Sequence, residues 1–268
     1  MDRVQLISLD LDGTLLDPAG QITQASRDAI ARARAAGVRM VINSGRSVAE
    51  AFQYAGEAGC DSLVSALGGA AVADAASGRV LRRWDVPEDS GRRVLELCLG
   101  RDIELMIFAG EEIVLDPFSK ASLMKTFPFP VFHHRAVVAD DPLAYLAERR
   151  LPLTKLHGDQ APGRYPLDEL AALSGVQLTA ANAHDFELVA AGVDKGRALA
   201  MIALLYGVPL DRCAAVGDSD NDLAVLRAVG TPIAMGNAAP QVKAACRLTV
   251  PSNGEDGVAQ AILSCLDR

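Results

Sequence analysis

The stretch Leu9-Asp10-Leu11-Asp12-Gly13-Thr14 decides how the fold of this chain is interpreted. It follows residues 4–8, a mainly apolar run that is typical of a short buried strand. The turn at the end of that strand therefore carries two carboxylates, Asp10 and Asp12. Ligands of open α/β sheets bind where the strands end, so one carboxylate is a candidate nucleophile and the other a candidate proton carrier. The same residues would also suit an acidic turn, because Asp and Gly are common turn formers.

Length and composition exclude several classes of protein. The chain has 268 residues, enough for one large domain or two smaller ones, and half of its residues are apolar. Its net charge of −8, without a basic stripe, argues against a nucleic-acid partner. The longest apolar stretch, residues 198–208, is too short to span a bilayer, and no secretory segment is recognisable. Scattered cysteines, odd in number, suit reduced core residues, so we expect a cytoplasmic protein.

Strands and helices alternate in two separate parts of the chain. Residues 1–83 and 187–268 show this β-α rhythm, which predicts an α/β fold with a Rossmann-like, doubly wound parallel sheet. Residues 84–186 contain most of the prolines and are less regular, which predicts an inserted α+β domain. That segment also holds all four histidines, for which the sequence indicates no role: His133, His134, His157 and His184.

A second acidic cluster, Gly217-Asp218-Ser219-Asp220-Asn221-Asp222, follows an apolar strand and precedes a helix, so it is expected at the same sheet edge as the first. Helix capping explains Asp222 and Asp220 but not Asp218, which precedes the helix. Adding Asp218 to the first acidic pair is repulsive unless some carboxyls stay protonated or a cation lies among them. An all-oxygen set predicts Mg²⁺, whereas zinc is not expected because no Cys or His is close in sequence.

Two further segments are candidates for phosphate binding. Asn43-Ser44-Gly45-Arg46 precedes a helix that Ser47 caps, and its hydroxyl and backbone N–H would suit an anion. A plain strand-to-helix turn is the alternative, with Arg46 facing either substrate or solvent. Lys195 lies at the start of a helix capped by Asp194, where its charge opposes the helix dipole. That placement favours a charge directed at phosphate or at the carboxylates over a solvated surface lysine.

Taken together, these segments resemble the haloacid dehalogenase-like superfamily of phosphohydrolases. The matching segments are Asp10-Leu11-Asp12-Gly13-Thr14, Ser44-Gly45-Arg46, Lys195 and Gly217-Asp218-Ser219-Asp220-Asn221-Asp222. Three others are similar to its Cof-type branch, in which a large α/β cap is inserted: Gly192-Val193-Asp194-Lys195-Gly196, Ala234-Met235-Gly236-Asn237-Ala238 and Asn253-Gly254-Glu255-Asp256-Gly257-Val258. Two departures stand out, Ser44 in place of the common Thr and Gly68-Gly69-Ala70 in place of Asn-Gly-Ala.

The resemblance implies roles for the matching residues. Asp10 would attack phosphorus to form an aspartyl-phosphate, while Asp12 would protonate the leaving oxygen and later deprotonate water. Mg²⁺ would be held by the Asp10 carboxylate, the Asp12 backbone carbonyl and Asp218. The residues that would bind phosphoryl oxygens are Ser44, Gly45, Lys195 and Asn221. The supporting residues would be Asp222, which orients Lys195 or a metal-bound water, and Arg46.

The sequence therefore predicts a Mg²⁺-dependent phosphatase that hydrolyses small phosphorylated metabolites, such as sugar phosphates or phosphorylated cofactors. A phosphomutase could use the same aspartyl-phosphate and is retained as an alternative. A non-catalytic protein that binds a phosphate ligand is the other alternative, although the retention of all four charged motif residues argues against it. The layout also leads us to expect that the cap closes over the site.

Overall fold

A computed structural model describes residues 3–127, 130–159, 165–181 and 185–266 of the chain. The chain divides into two compact units. The first, called the core unit, comprises Met1–Arg82 and Asp194–Arg268, and the second, called the inserted unit, comprises Arg83–Val193. No helix within the described ranges is long and apolar enough to cross a bilayer.

The strands, in chain order, are β1 (Leu6–Leu9), β2 (Arg39–Ile42), β3 (Leu63–Ala66), β4 (Ala71–Asp74), β5 (Arg79–Arg83), β6 (Glu104–Ala109), β7 (Glu112–Leu115), β8 (Ala136–Val138), β9 (Leu153–Asp159), β10 (Val176–Ala181), β11 (Asp185–Ala190), β12 (Cys213–Gly217), β13 (Thr231–Ala234) and β14 (Leu248–Thr249). The helices are α1 (Gln24–Ala35), α2 (Val48–Ala58), α3 (Glu88–Cys98), α4 (Pro117–Thr126), α5 (Pro130–Arg135), α6 (Pro142–Arg149), α7 (Leu167–Ala171), α8 (Lys195–Tyr206), α9 (Leu223–Ala228), α10 (Pro240–Ala244) and α11 (Gly257–Leu266).

A parallel sheet forms the centre of the core unit, with strand order β14-β13-β12-β1-β2. Its central strands are buried over their whole length, as expected for a parallel sheet covered on both faces. Leu9 of β1 pairs with Val216 of β12 and with Ile42 of β2, so the carboxyl ends of these strands lie in register. The residues that follow them, Asp10 and Asp218 among them, therefore meet at one edge of the sheet.

Local sequence signals explain how the core helices begin and end. The Thr23 hydroxyl accepts the Ser26 N–H at the start of α1. Ser47 caps α2, as the sequence predicts, and forms a capping box with Glu50. Helix α8 begins after Asp194, whose carboxylate accepts the Arg197 N–H at 2.8 Å. These caps fix where α2 and α8 begin, and with them the residues that precede each helix.

The inserted unit contains a six-stranded sheet of order β10-β11-β9-β6-β7-β8, antiparallel except for the β7–β8 pair. The division of the chain falls after Val193, later than the boundary at residues 186 and 187 that the sequence suggests. The physical reason is that β11 pairs with β9 and β10, with Glu187 opposite His157. The fold class, a parallel α/β sheet with an inserted α+β unit, is confirmed.

Candidate active site

The loop after β1 brings the first acidic motif to the sheet edge. Leu11–Leu15 form a single π-type turn, in which the Leu15 N–H donates to the Asp10 carbonyl at 3.2 Å. Gly13 has a φ of +74°, and a Cβ atom there would lie 2.3 Å from Oδ2 of Asp218. Glycine is therefore required both by the backbone conformation and by the close approach of Asp218. The loop leaves the Asp10 side chain buried beside Asp218 and the Asp12 side chain exposed.

Lys195 lies at the centre of the site, with 1% of its surface exposed. Its ammonium donates to Oδ1 of Asp10 at 2.7 Å, to Oδ1 of Asp222 at 2.7 Å and to Oδ1 of Asn221 at 2.9 Å. Burial alone would lower the pKa of Lys195, but the two adjacent carboxylates outweigh it and raise the pKa above its ordinary value. The lysine is therefore charged. Its contacts with the two carboxylates explain why a cation lies at a helix N-terminus, where it opposes the helix dipole.

Asp222 supports both the lysine and the loop before it. One carboxylate oxygen accepts from Lys195, while Oδ2 accepts the backbone N–H groups of Asp218 at 3.0 Å and Ser219 at 3.2 Å. A Cβ atom on Gly217 would lie 2.5 Å from this carboxylate, so the close turn requires glycine. One oxygen of Asp222 therefore caps the turn and the other contacts Lys195, so the two interpretations of Asp222 are compatible.

Three carboxylates in this site are close enough to hold one cation. Oxygens of Asp10, Asp218 and Asp222 lie within 4.8 Å of one another. Burial raises the pKa of Asp10 well above its ordinary value despite Lys195, because Asp222 and Asp218 add to the repulsion. The pKa of Asp218 is raised to about 6, mainly by burial and next by the negative charge of Asp222. The Thr14 hydroxyl, which donates to Oδ1 of Asp218 at 2.9 Å, acts in the opposite direction and lowers this pKa. One ammonium among three carboxylates leaves negative charge that a hard cation would neutralise.

Arg46 faces Asp12 rather than bulk solvent. Its Nε donates to Oδ2 of Asp12 at 2.8 Å and its Nη2 donates to Oδ1 at 2.6 Å. The third nitrogen, Nη1, donates to Oε1 of Glu50 at 3.1 Å, and the guanidinium carbon lies 5.3 Å from the centre of the Tyr54 ring. Burial opposes the charge of Arg46, but Asp12 more than compensates and raises its pKa. The arginine therefore links the capping box of α2 to the second carboxylate of the first motif.

The segment around Ser44 is held by backbone hydrogen bonds from a neighbouring turn. Ser44 is fully buried, and its hydroxyl oxygen accepts the Arg46 N–H at 3.2 Å. Its carbonyl accepts the Gly68 N–H at 3.0 Å, and the Arg46 carbonyl accepts the Leu67 N–H at 2.9 Å. The Ser44 hydroxyl remains able to donate its own hydrogen, as a phosphate-binding role requires.

Two asparagines hold the loop after β1 from its other side. Asn237 donates its amide to the Gly13 carbonyl at 2.8 Å, and Asn253 donates to the Leu16 carbonyl at 2.7 Å. The Asn253 N–H in turn donates to Oδ1 of Asn237 at 3.0 Å. Both asparagines belong to segments that resemble the Cof-type branch, and the resemblance implies no role for them. They fix the backbone that carries Asp10 and Asp12.

Of the predicted site residues, the structure brings Asp10, Lys195, Asp218, Asn221 and Asp222 together and places Arg46 on Asp12. Thr14 and Asn43 stand in the predicted motifs without a role of their own, and the contact of Glu50 with Arg46 was not predicted. The only available signal for Asn43 was a polar residue directly after an apolar strand.

The three histidines in the described part of the chain are not members of this cluster. His133 contacts Lys120, with 3.2 Å between Nδ1 and Nζ, and His157 contacts Glu187, with 3.5 Å between Nδ1 and Oε1. Both, like His134 in α5, belong to the inserted unit, whereas His184 lies outside the described residues.

The chain matches a known protein family and several of its members. The family model described as haloacid dehalogenase-like hydrolase matches residues 7–262. The 5-amino-6-(5-phospho-D-ribitylamino)uracil phosphatase YwtE of Bacillus subtilis is 26% identical over 281 residues, which cover 97% of this chain and 97% of that protein. The pyridoxal phosphate phosphatase YbhA of Escherichia coli is 27% identical over 274 residues, covering 98% of each.

A solved structure of a haloacid dehalogenase-like hydrolase from B. subtilis shares the fold, with a TM-score of 0.83 at 23% identity, covering 97% of this chain and 99% of that one. The match to the family model includes all of the acidic motifs and Lys195. The predicted relationship to the Cof-type branch is confirmed. The chain therefore belongs to the haloacid dehalogenase-like hydrolases.

Proposed function

We propose that this protein is a Mg²⁺-dependent phosphatase that hydrolyses small phosphorylated metabolites through an aspartyl-phosphate on Asp10. The observation that carries the proposal is the buried ammonium of Lys195, which contacts Asp10 and Asp222 at 2.7 Å each. Oxygens of these two carboxylates lie within 4.8 Å of an oxygen of Asp218. A charged lysine and an anionic cluster at a sheet edge suit phosphoryl transfer, in which positioning and charge neutralisation supply most of the rate.

Asp10 is the group best placed to attack phosphorus. Lys195 fixes its Oδ1, so the carboxylate has a defined orientation in a buried site. In the first step a bond forms between a carboxylate oxygen and phosphorus while the bond from phosphorus to the leaving oxygen breaks. Asp12 gives its proton to that leaving oxygen. In the second step Asp12 takes a proton from the attacking water, which releases inorganic phosphate and restores the Asp10 carboxylate.

The phosphoryl group would be bound by Ser44, the Gly45 N–H, Lys195 and Asn221. The structure supports Asn221 in this role through the orientation of its amide. Its Oδ1 accepts from Lys195 at 2.9 Å and from the Ser219 hydroxyl at 3.0 Å, which directs the Nδ2 donors elsewhere. Amide and ammonium donors of this kind stabilise the negative charge of the transferring group.

The oxygen donors present fit a hard divalent cation. The Asp10 and Asp218 carboxylates and the Asp12 backbone carbonyl would hold it, because both Asp222 oxygens are already used by Lys195 and by backbone N–H groups. When bound, Mg²⁺ would neutralise charge on the phosphoryl oxygens. All-oxygen ligands are those that Mg²⁺ prefers, and the raised pKa values of Asp10 and Asp218 reflect a site with an excess of negative charge.

The substrate class is inferred from the relatives. YwtE and YbhA are named for a phosphorylated uracil derivative and for pyridoxal phosphate, and each aligns with almost the whole of this chain. Both names describe a small organic molecule with a single phosphate ester. We infer that the substrate here is also a small phosphorylated metabolite of the cofactor or sugar-phosphate type.

Phosphate release tests the proposal. Purified protein is incubated with Mg²⁺ and a panel of sugar phosphates, nucleotides and phosphorylated vitamins, and free phosphate is measured. We expect turnover that chelation of the metal abolishes and that D10N, a nearly isosteric variant, eliminates without unfolding the protein. Isomerised sugar phosphate without free phosphate would identify a mutase instead. Thermal stabilisation by ligands without any turnover would identify a binding protein.

A further inference from the structure

Asn43 has a side-chain arrangement that protein stability alone does not explain. It directly follows β2, and 1% of its surface is exposed. Its Nδ2 donates to the backbone carbonyl of Lys195 at 3.0 Å. Its Oδ1 is buried and has no hydrogen-bond partner among the described residues. A buried amide oxygen without a partner destabilises a fold, whereas leucine would fill nearly the same volume without this penalty.

The preceding peptide, between Asp194 and Lys195, is in contact with a strained turn. Leu67, Gly68 and Gly69 have successive φ values of +56°, +68° and +98°, and leucine rarely adopts such a conformation. A Cβ atom on Gly69 would lie 2.1 Å from the Asp194 carbonyl oxygen and 2.8 Å from the Lys195 nitrogen. The turn backbone therefore packs directly against the peptide between Asp194 and Lys195.

This turn also holds the segment that contains Ser44. The Gly68 N–H donates to the Ser44 carbonyl and the Leu67 N–H donates to the Arg46 carbonyl. Asn43 is the residue before Ser44, so the backbone at the start of α8 and the candidate phosphate-binding segment are joined by both Asn43 and the turn. Backbone strain of this kind persists only where the surrounding structure enforces it.

We propose that Asn43 and the turn Leu67–Gly69 form a clamp on the backbone on either side of the Lys195 Cα atom, and that this clamp positions the Lys195 ammonium for the reaction. Asn43 is then a positioning residue, acting through Lys195 and not on the substrate. The inference rests on the proposed function for its kinetic consequences but not for the position of the lysine.

The proposed reaction gives the clamp a reason to exist. Lys195 is held at its ammonium by Asp10, Asp222 and Asn221. When Asp10 becomes an aspartyl-phosphate, its carboxylate loses its charge, and one of these three contacts changes. An anchor on the backbone of Lys195 does not depend on the charge of Asp10. It keeps the flexible side chain aimed at the same place through both steps.

The test compares N43L with S65A. N43L removes the donor to Lys195 while keeping the volume, and it also removes the unpartnered oxygen. Ser65 is a matched control, because its hydroxyl is likewise buried without a partner among the described residues and its Cα pairs with that of Asn43. We expect both variants to keep or raise Tm. We expect N43L to lower kcat by about tenfold or more, since small displacements of a catalytic group are costly, and S65A to leave kcat unchanged.

A second measurement does not depend on activity. The chain has five lysines, so ¹⁵N-lysine labelling yields few ammonium signals, and K195M assigns that of Lys195. We expect a protected Lys195 signal in the wild type and in S65A, and an exchange-broadened one in N43L.

An unchanged signal together with unchanged kcat in N43L would overturn the clamp. If the wild type releases no phosphate, the proposed function fails, while the ammonium signal still decides the clamp. If N43L does not fold, N43A is subjected to the same two measurements.

Discussion

Arg46 forms a two-pronged ion pair with Asp12, through Nε to Oδ2 at 2.8 Å and Nη2 to Oδ1 at 2.6 Å. The two partners differ strongly in exposure, since 7% of the Arg46 side chain and 59% of the Asp12 side chain are accessible. The arginine is in turn fixed by Glu50 within the capping box of α2. An exposed carboxylate is thus oriented by a buried guanidinium, whose planar fork a lysine cannot reproduce.

Replacement of Arg46 should impair proton transfer more than phosphate binding. Without the fork, Asp12 samples several rotamers, so R46Q should lower kcat/KM for an alkyl phosphate by roughly tenfold to a hundredfold, within the range of general acid–base catalysis. The loss should be smaller for p-nitrophenyl phosphate, whose leaving group does not need a proton. R46K should recover little. R32Q, which removes an exposed arginine on α1, is the charge-matched control and should have no effect. Equal losses on both substrates would instead assign Arg46 to phosphate binding.

Replacement of Lys195 should destabilise the metal-free protein. K195M leaves the Asp10 and Asp222 carboxylates buried without their cation, and loss of one partner of a buried pair typically costs about 3–5 kcal/mol. Because the pKa of Asp10 is already raised, the cost is largest where that carboxyl is ionised and shrinks as the pH falls. Urea denaturation at several pH values measures this.

The K195M/D222N double variant provides the internal control, since it removes one uncompensated charge as well as the ammonium. It should recover part of the lost free energy of unfolding. A double variant as unstable as the sum of the two single variants would show that Lys195 and Asp222 do not interact.

The sheet edge and its acidic residues were predictable because their signals are local. An apolar run followed by Asp-x-Asp-Gly identifies a strand end, and Ser47 with Glu50 identifies a helix start. The pair of Arg46 and Asp12 was not predictable, because the partners are 34 positions apart and no periodic pattern links them. The roles assigned to the individual site residues remain predictions.

The sequence predicts that the inserted unit ends at residue 186, whereas the compact unit of the structure ends at Val193. Residues 187–190 are a mainly apolar run that would suit a strand of either sheet. The pairing of β11 with β9 and β10 assigns them to the sheet of the inserted unit. The contact of Asn43 with Lys195 was also not predictable from local sequence, because the two residues are 152 positions apart.

Binding of Mg²⁺ should stabilise the protein in a pH-dependent way. The pKa of Asp218 is about 6, above its ordinary value of 3.8, so a proton competes with the metal for this carboxylate in mildly acidic solution. The increase in Tm caused by Mg²⁺ should therefore be larger at about pH 7.5 than at about pH 5, as linkage requires. In D218N the increase should be small at both pH values. An equal increase at both pH values in the wild type would place the metal away from Asp218.

A buried ion pair should dominate the acid stability of the inserted unit. Lys155 and Glu187 lie on adjacent strands with 2.5 Å between Nζ and Oε1, and both are buried. Burial would raise the pKa of Glu187, but Lys155 outweighs it and holds the pKa below its ordinary value of 4.5. A depressed pKa contributes stability that is present above about pH 4.5 and is lost as the pH falls further. E187Q should therefore unfold more easily near neutrality, by roughly 3–5 kcal/mol, and the difference from the wild type should shrink in acid.

E96Q, which breaks the exposed pair with Arg93 in the same unit, should change the free energy of unfolding by less than about 1 kcal/mol. Denaturation monitored across this pH range decides the point, since similar small losses in E187Q and E96Q would show that the buried pair contributes no more than a surface one.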